Sequence, residues 1–168
     1  ERREMQKLSL AIILTSQGIS FLHAGTEFLR SKKGVENSFN TPDSINEIDW
    51  RLKSKNGDVF QLVKALIEMR KQHPAFRMTT DKEIARNINF EYGVQNAPGV
   101  VTYLINGKSV HDPWKKILVA FNGRGEQTIS LLPEGTWKTY IQNNIVMNGF
   151  SEKDKVVLDP HSCTILYQ

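Results

Sequence analysis

The sequence predicts an α+β chain, a helix–strand–helix unit followed by an all-β sandwich. Three observations carry this reading. Apolar residues recur at helical spacing in two stretches, 4–15 and 58–73. A short apolar run, 19–23, and a long polar stretch lie between them. From about residue 84 the pattern changes to short apolar runs separated by turn residues, the signature of consecutive strands.

In chain order, residues 4–15 read as a helix. Met5, Leu8, Ala11, Ile12 and Leu14 mark its apolar face, and Gln17-Gly18 breaks it. Residues 19–23 read as a short buried strand of a parallel sheet covered on both faces. The stretch 30–54 is polar and rich in Asn, Asp and Ser. A structureless loop of that length is uncommon in a compact domain unless it serves a function. It leaves the C-terminal end of the strand, the side on which parallel α/β sheets bind ligands. Residues 58–73 form a second amphipathic helix, with Val59, Leu62, Val63, Leu66, Ile67 and Met69 as its stripe and Pro74 as its stop.

Strands are expected at 88–92, 100–105, 117–121, 128–131, 137–141, 145–147, 156–158 and 164–167. The turns between them carry Pro98-Gly99, Asn122-Gly123, Pro133-Glu-Gly135, Asn148-Gly149 and Asp159-Pro160. Residues 110–116 (VHDPWKK) interrupt them as a polar loop. The pattern shift divides the chain into 1–78 and 79–168.

Composition excludes several classes of function. The 22 Lys+Arg against 18 Asp+Glu leave a net charge of +4, spread along the chain. No basic run interleaved with aromatics suggests nucleic-acid binding. No apolar run approaches the ~20 residues of a membrane span. The single Cys163 forbids an intrachain disulfide and sits in an alternating strand pattern. There is no CxxC or HExxH, and the four histidines are scattered, so no zinc site is expected.

The polar loop holds the candidate site. Trp50, Phe39 and Phe28 could stack on apolar sugar faces, while Asn37, Asn40, Asp43, Asn46, Asp49 and Arg30 could bind hydroxyls. For Trp50, packing is favoured over stacking. Asp43, Glu47 and Asp49 form a cluster of oxygens open to calcium, with a hydrogen-bonded loop as the preferred reading. The chain itself is expected to need no cofactor.

Three segments resemble type I pullulanases of the α-amylase superfamily. Residues 17–32 (QGISFLHAGTEFLRSK) are similar to the eighth barrel strand of that family and its exit. Residues 37–50 (NSFNTPDSINEIDW) are similar to the loop after it, and 66–78 (LIEMRKQHPAFRM) to the eighth barrel helix and the exit from it. Two departures are Ser20, where the family usually has Pro, and Thr26, where it often has an acidic or other polar residue.

The resemblance implies the last strand and helices of a (β/α)8 barrel followed by the C-terminal sandwich. It implies a parent enzyme that hydrolyses α-1,6-glucosidic linkages in pullulan, glycogen or starch with retention. The chain has 168 residues, fewer than the roughly 250 of a whole barrel, and begins at Glu1 in what reads as helix interior. An excised C-terminal fragment, inactive by itself, is therefore expected. Its catalytic carboxylates would lie upstream, and the rest of the barrel would be its partner. Calcium stays open for the parent.

By the same resemblance, Asp43 is the first candidate for a direct bond to glucose, then Asn40 and Arg30. Glu27, Asn37, Asn46 and Asp49 would support the loop. The competing reading is a non-catalytic glucan-binding module, with Trp114, Trp137, Tyr140 and Tyr103 as an aromatic platform, or a purely structural sandwich.

Overall fold

The computed structural model describes residues 1–90, 97–147 and 149–168. Helix α1 (Arg2–Thr15) buries Leu8, Leu10, Ala11 and Leu14. Its buried stripe is turned from the expected one, because Met5 and Ile12 face outward and Leu10 points inward. The last carbonyls of α1 need partners outside the helix. Arg70 supplies them, donating to Leu14 O and Ser16 O and also to Gly18 O.

The strand expected at 19–23 does not form; these residues run without regular structure. A strand exists only as part of a ladder, and among the described residues no strand lies alongside. Ile19 and Phe21 stand in solvent. A single 3-10 turn (Thr26–Phe28) then leads into the loop. The loop is more regular than expected, with two short helices, α2 (Asp43–Asn46) and α3 (Arg51–Lys55).

Helix α4 (Gly57–Gln72) buries Val59, Leu62, Val63, Leu66 and Met69 as expected, while Ile67 is partly exposed. A 3-10 turn (Pro74–Phe76) and helix α5 (Asp81–Asn87) follow. The sequence reading missed α5, although its signal was present. Thr80 and Glu83 form a reciprocal capping box at its N-terminus.

The strands are β1 (Ile88–Asn89), β2 (Val100–Ile105), β3 (Ile117–Asn122), β4 (Thr128–Leu131), β5 (Trp137–Gln142), β6 (Ile145–Val146), β7 (Ser151–Glu152), β8 (Lys155–Leu158) and β9 (Ser162–Tyr167). Residues 91 and 92 of the first expected strand, and Asn148 of one expected turn, lie outside the described residues. The short strand β7 was not expected. The large sheet runs β1-β2-β3-β9-β5-β6, with β7 also paired to β5, and the described pairings are antiparallel. Strands β4 and β8 form a second, two-stranded antiparallel sheet.

These elements make three layers. Side chains alternate across a strand, so one strand serves two cores. Ile117, Val119 and Phe121 of β3, with Cys163 and Ile165 of β9, join the buried faces of α1 and α4. Leu118 and Ala120 of β3, with Leu166 of β9, join Trp137, Val156 and Leu158 under the small sheet. That is why β3 is buried at all six positions. The first core joins residues from both sides of the expected boundary near residue 78, so the helices lie directly on the sheet.

Candidate functional site

The 24–56 loop divides its polar residues into an inner frame and an outer face. Gly25 fixes the entry. Its φ is +90°, and a Cβ there would stand 2.7 Å from the Arg30 side chain, so only glycine fits. Arg30 folds back over this turn and donates to Ala24 O at 3.2 Å and to Asn46 O. Its Nε is buried without a partner among the described residues.

Asn46 is the hub of the loop. Its amide nitrogen donates to Ser38 O, Thr41 O and Thr41 Oγ1 at 2.7, 2.9 and 3.0 Å. Its Oδ1 accepts from Lys32 Nζ at 2.6 Å. Lys33 Nζ donates to Ser44 O at 2.9 Å. Asn56, buried, ties the loop to its base by donating to Phe28 O at 2.9 Å while accepting from Arg3.

The outer face carries what remains. Asn37, Asn40 and Asp43 are exposed, and their side chains make no hydrogen bond among the described residues. Asp43 stands in the first turn of α2. Phe39 is 84% exposed and Trp50 67% exposed; Trp50 only leans on buried Phe28, with ring centres 5.8 Å apart. Asp49 is engaged by Arg51, which donates from its backbone and guanidinium at 2.8–3.0 Å. The Arg51 guanidinium holds the Asp49 carboxyl below the ordinary carboxylate range. Glu27 is half-buried, and its carboxylate accepts no hydrogen bond among the described residues. Of the seven expected residues, then, Arg30 and Asn46 belong to the frame, Asn37, Asn40 and Asp43 to the face, Asp49 to a local pair, and half-buried Glu27 to none of these.

This face offers a carboxylate, two amides and two aromatic rings, the groups that bind sugar hydroxyls and apolar sugar faces. Asp43, Glu47 and Asp49 do not come together as a metal-binding group, nor do any three potential ligands among the described residues. Among those residues, no helix is long and apolar enough to cross a membrane.

Two of the four aromatics named for the competing binding-module reading lie in the core. Trp137 is fully buried and donates its Nε1–H to Pro133 O at 2.9 Å; Tyr103 is buried too. Burial pushes the Tyr103 hydroxyl and the Cys163 thiol far up, so both stay neutral. Trp114 is taken up in a stack, with ring centres 3.7 Å from His73 and 4.2 Å from Tyr167.

This stack belongs to a clamp that sequence reading missed. Buried His73, at the end of α4, donates from Nδ1 to Asp112 Oδ1 at 2.7 Å. Asp112 also accepts from Trp114 N at 2.8 Å and Ala75 N at 3.0 Å. Burial pushes the Asp112 carboxyl up, but these three donors outweigh it and hold the group below its ordinary value. The signals were a His-Pro at a helix exit and an Asp in a polar loop, 39 residues apart, and nothing in the sequence pairs them.

Comparison with known proteins places these features in context. The pullulanase all-beta domain family matches residues 84–144. The pullulanase of Bacillus subtilis is 35% identical over 132 residues, covering 79% of this chain and 18% of the relative. A solved pullulanase from Bacillus acidopullulyticus superposes with a TM-score of 0.93 at 34% identity, covering 99% of this chain and 20% of that one. A pullulanase from Anoxybacillus, solved with maltotetraose, superposes with a TM-score of 0.90 at 37% identity, covering 99% and 23%. The chain thus spans about a fifth of the length of these relatives.

Proposed function

We propose, on the premise that this chain is a relative of the pullulanases, that it is the C-terminal part of a debranching glycoside hydrolase. The longer protein hydrolyses α-1,6-glucosidic linkages in pullulan, glycogen or starch through a covalent glycosyl-enzyme. Residues 1–78 complete a (β/α)8 barrel, and residues 79–168 form its C-terminal sandwich. The two catalytic carboxyls, which a retaining enzyme holds about 5–5.5 Å apart, come from the preceding part of the barrel.

One observation carries the reading of the loop: Asn46 and Arg30 are bonded to the loop's own backbone, while Asp43 and Asn40 are exposed to solvent. In the enzyme those two side chains contact glucose units on the non-reducing side of the cleaved bond. Arg30, whose guanidinium is held by two backbone carbonyls, acts by fixing the loop that presents them. The maltotetraose complex of the Anoxybacillus relative supports an α-glucan as the ligand. The bare sandwich is a weak candidate for an independent glucan-binding module, because Trp137 and Tyr103 are in the core.

The test is the coding sequence upstream of Glu1 and the protein it yields. An in-frame extension carrying acidic barrel motifs, and release of reducing sugar from pullulan by the complete protein but not by residues 1–168, is the expected result. A chain of 168 residues that hydrolyses pullulan by itself, with activity lost in Asp43→Ala, overturns it.

A further inference from the structure

We propose that Asn106 is a site of spontaneous modification, converting to aspartate and isoaspartate through a cyclic imide, and that this conversion loosens the His73–Asp112 clamp. An asparagine followed by glycine is prone to this reaction, because the unhindered glycine amide can reach the side-chain carbonyl. The sequence contains four such pairs, at Asn56, Asn106, Asn122 and Asn148.

The structure separates the three described ones. Asn56 is 5% exposed, with its amide nitrogen bonded to Phe28 O and its oxygen to Arg3. Asn122 is fully buried, and its nitrogen donates to Glu126 O, Leu158 O and Asp159 O while its oxygen accepts from Arg124 N. Neither side chain can turn onto the following amide without breaking buried bonds. Asn106 is exposed, and its side chain makes one hydrogen bond among the described residues, donating to Ser109 Oγ on the surface. Gly107 opens a 3-10 turn (Gly107–Val110), where the first amide has no partner inside the turn.

The step is balanced without an oxidant or reductant. The Gly107 nitrogen gives up its proton and bonds to the Asn106 side-chain carbonyl carbon. The carbon–Nδ2 bond breaks and ammonia leaves. Water then opens the five-membered imide at either carbonyl. Opening at one returns the normal main chain with aspartate; opening at the other routes the main chain through the side-chain carbon and lengthens it.

The position gives the change a consequence. Gly107 O accepts from Asp112 N at 2.9 Å, and Lys108 N donates to Lys115 O at 3.1 Å. A Cβ on Gly107 would stand 2.0 Å from Trp114 O, so the turn has no room to shift toward it. A lengthened main chain at residue 106 therefore displaces the carbonyl that seats Asp112, and Asp112 is the group that grips His73.

Incubation of the chain in mildly alkaline buffer, followed by tryptic mapping with fragment-ion localisation and isoaspartyl methyltransferase labelling, tests the proposal. Asn106 should convert several-fold faster than Asn56 and Asn122, and the aged protein should unfold at a lower temperature. Aged Asn106→Gln, which retains any conversion at Asn148, should unfold where the fresh variant does. Equal rates at the three sites, or conversion at Asn106 with no change in unfolding relative to aged Asn106→Gln, would overturn it.

Discussion

The seam between helices and sheet and the 24–56 loop are both bound by side-chain hydrogen bonds, yet they are built in opposite ways. At the seam the bonds are buried and sit beside a dense apolar core: His73, Asp112 and Ala75 are all buried, next to fully buried Phe76 and Leu66. In the loop Asn46, Arg30 and Lys33 knit the backbone at the surface, and the large residues Phe39 and Trp50 are left out in water. A buried bond left half-made costs the desolvation of its partner, whereas a surface bond is replaced by water. The seam therefore sets stability, and the exposed groups of the loop can change without unfolding the chain.

Phe76→Ala should break this contrast most strongly. It empties a fully buried site in the seam and should cost about 3–5 kcal/mol in urea unfolding. Asp112→Ala comes next, leaving His73 and two backbone amides without their acceptor, at about 1–3 kcal/mol. A loss for either variant no larger than for a loop substitution would remove the distinction.

Acid sharpens the comparison. The folded state holds Asp112 below its ordinary value and Asp58, bonded by Lys7 and Arg3 against the upward push of its burial, at about 2. Both groups thus favour folding above about pH 4, and that contribution is lost as pH falls through the lowered folded values. A melting temperature that is flat near neutrality and falls below about pH 4 is expected, with a shallower fall in Asp112→Asn. An unchanged slope in that variant would mean that Asp112 is not part of the acid response.

The smallest effect on stability belongs to the loop. Asn46→Ala should lower global stability by about 1 kcal/mol or less while speeding amide exchange across the loop, since the hub bonds local backbone.

Sequence reading reached the β layer and the two long helices because their information is local. Short apolar runs between turn residues, as at 117–121 and 164–167, give strands, and the stripe from Val59 to Met69 gives α4. It failed at 19–23 for a physical reason: apolar composition marks burial, but a strand needs a hydrogen-bonding neighbour. The loop was also named as the site, yet Asn37 was grouped with Asn46 as a loop support. Both are asparagines in one polar run, and only the folded loop shows that one is consumed by its backbone and the other faces water. The His73–Asp112 clamp was illegible because its members are local strangers brought together by the fold.

The proposed role of Asp43 is to serve a glucan rather than the fold. Steady-state hydrolysis of pullulan by the complete protein, wild type against Asp43→Ala, tests it directly when melting temperature is recorded alongside. A clear fall in kcat/KM with unfolding unchanged is expected. Unaltered kinetics, or a loss of activity that tracks a loss of stability, would contradict it.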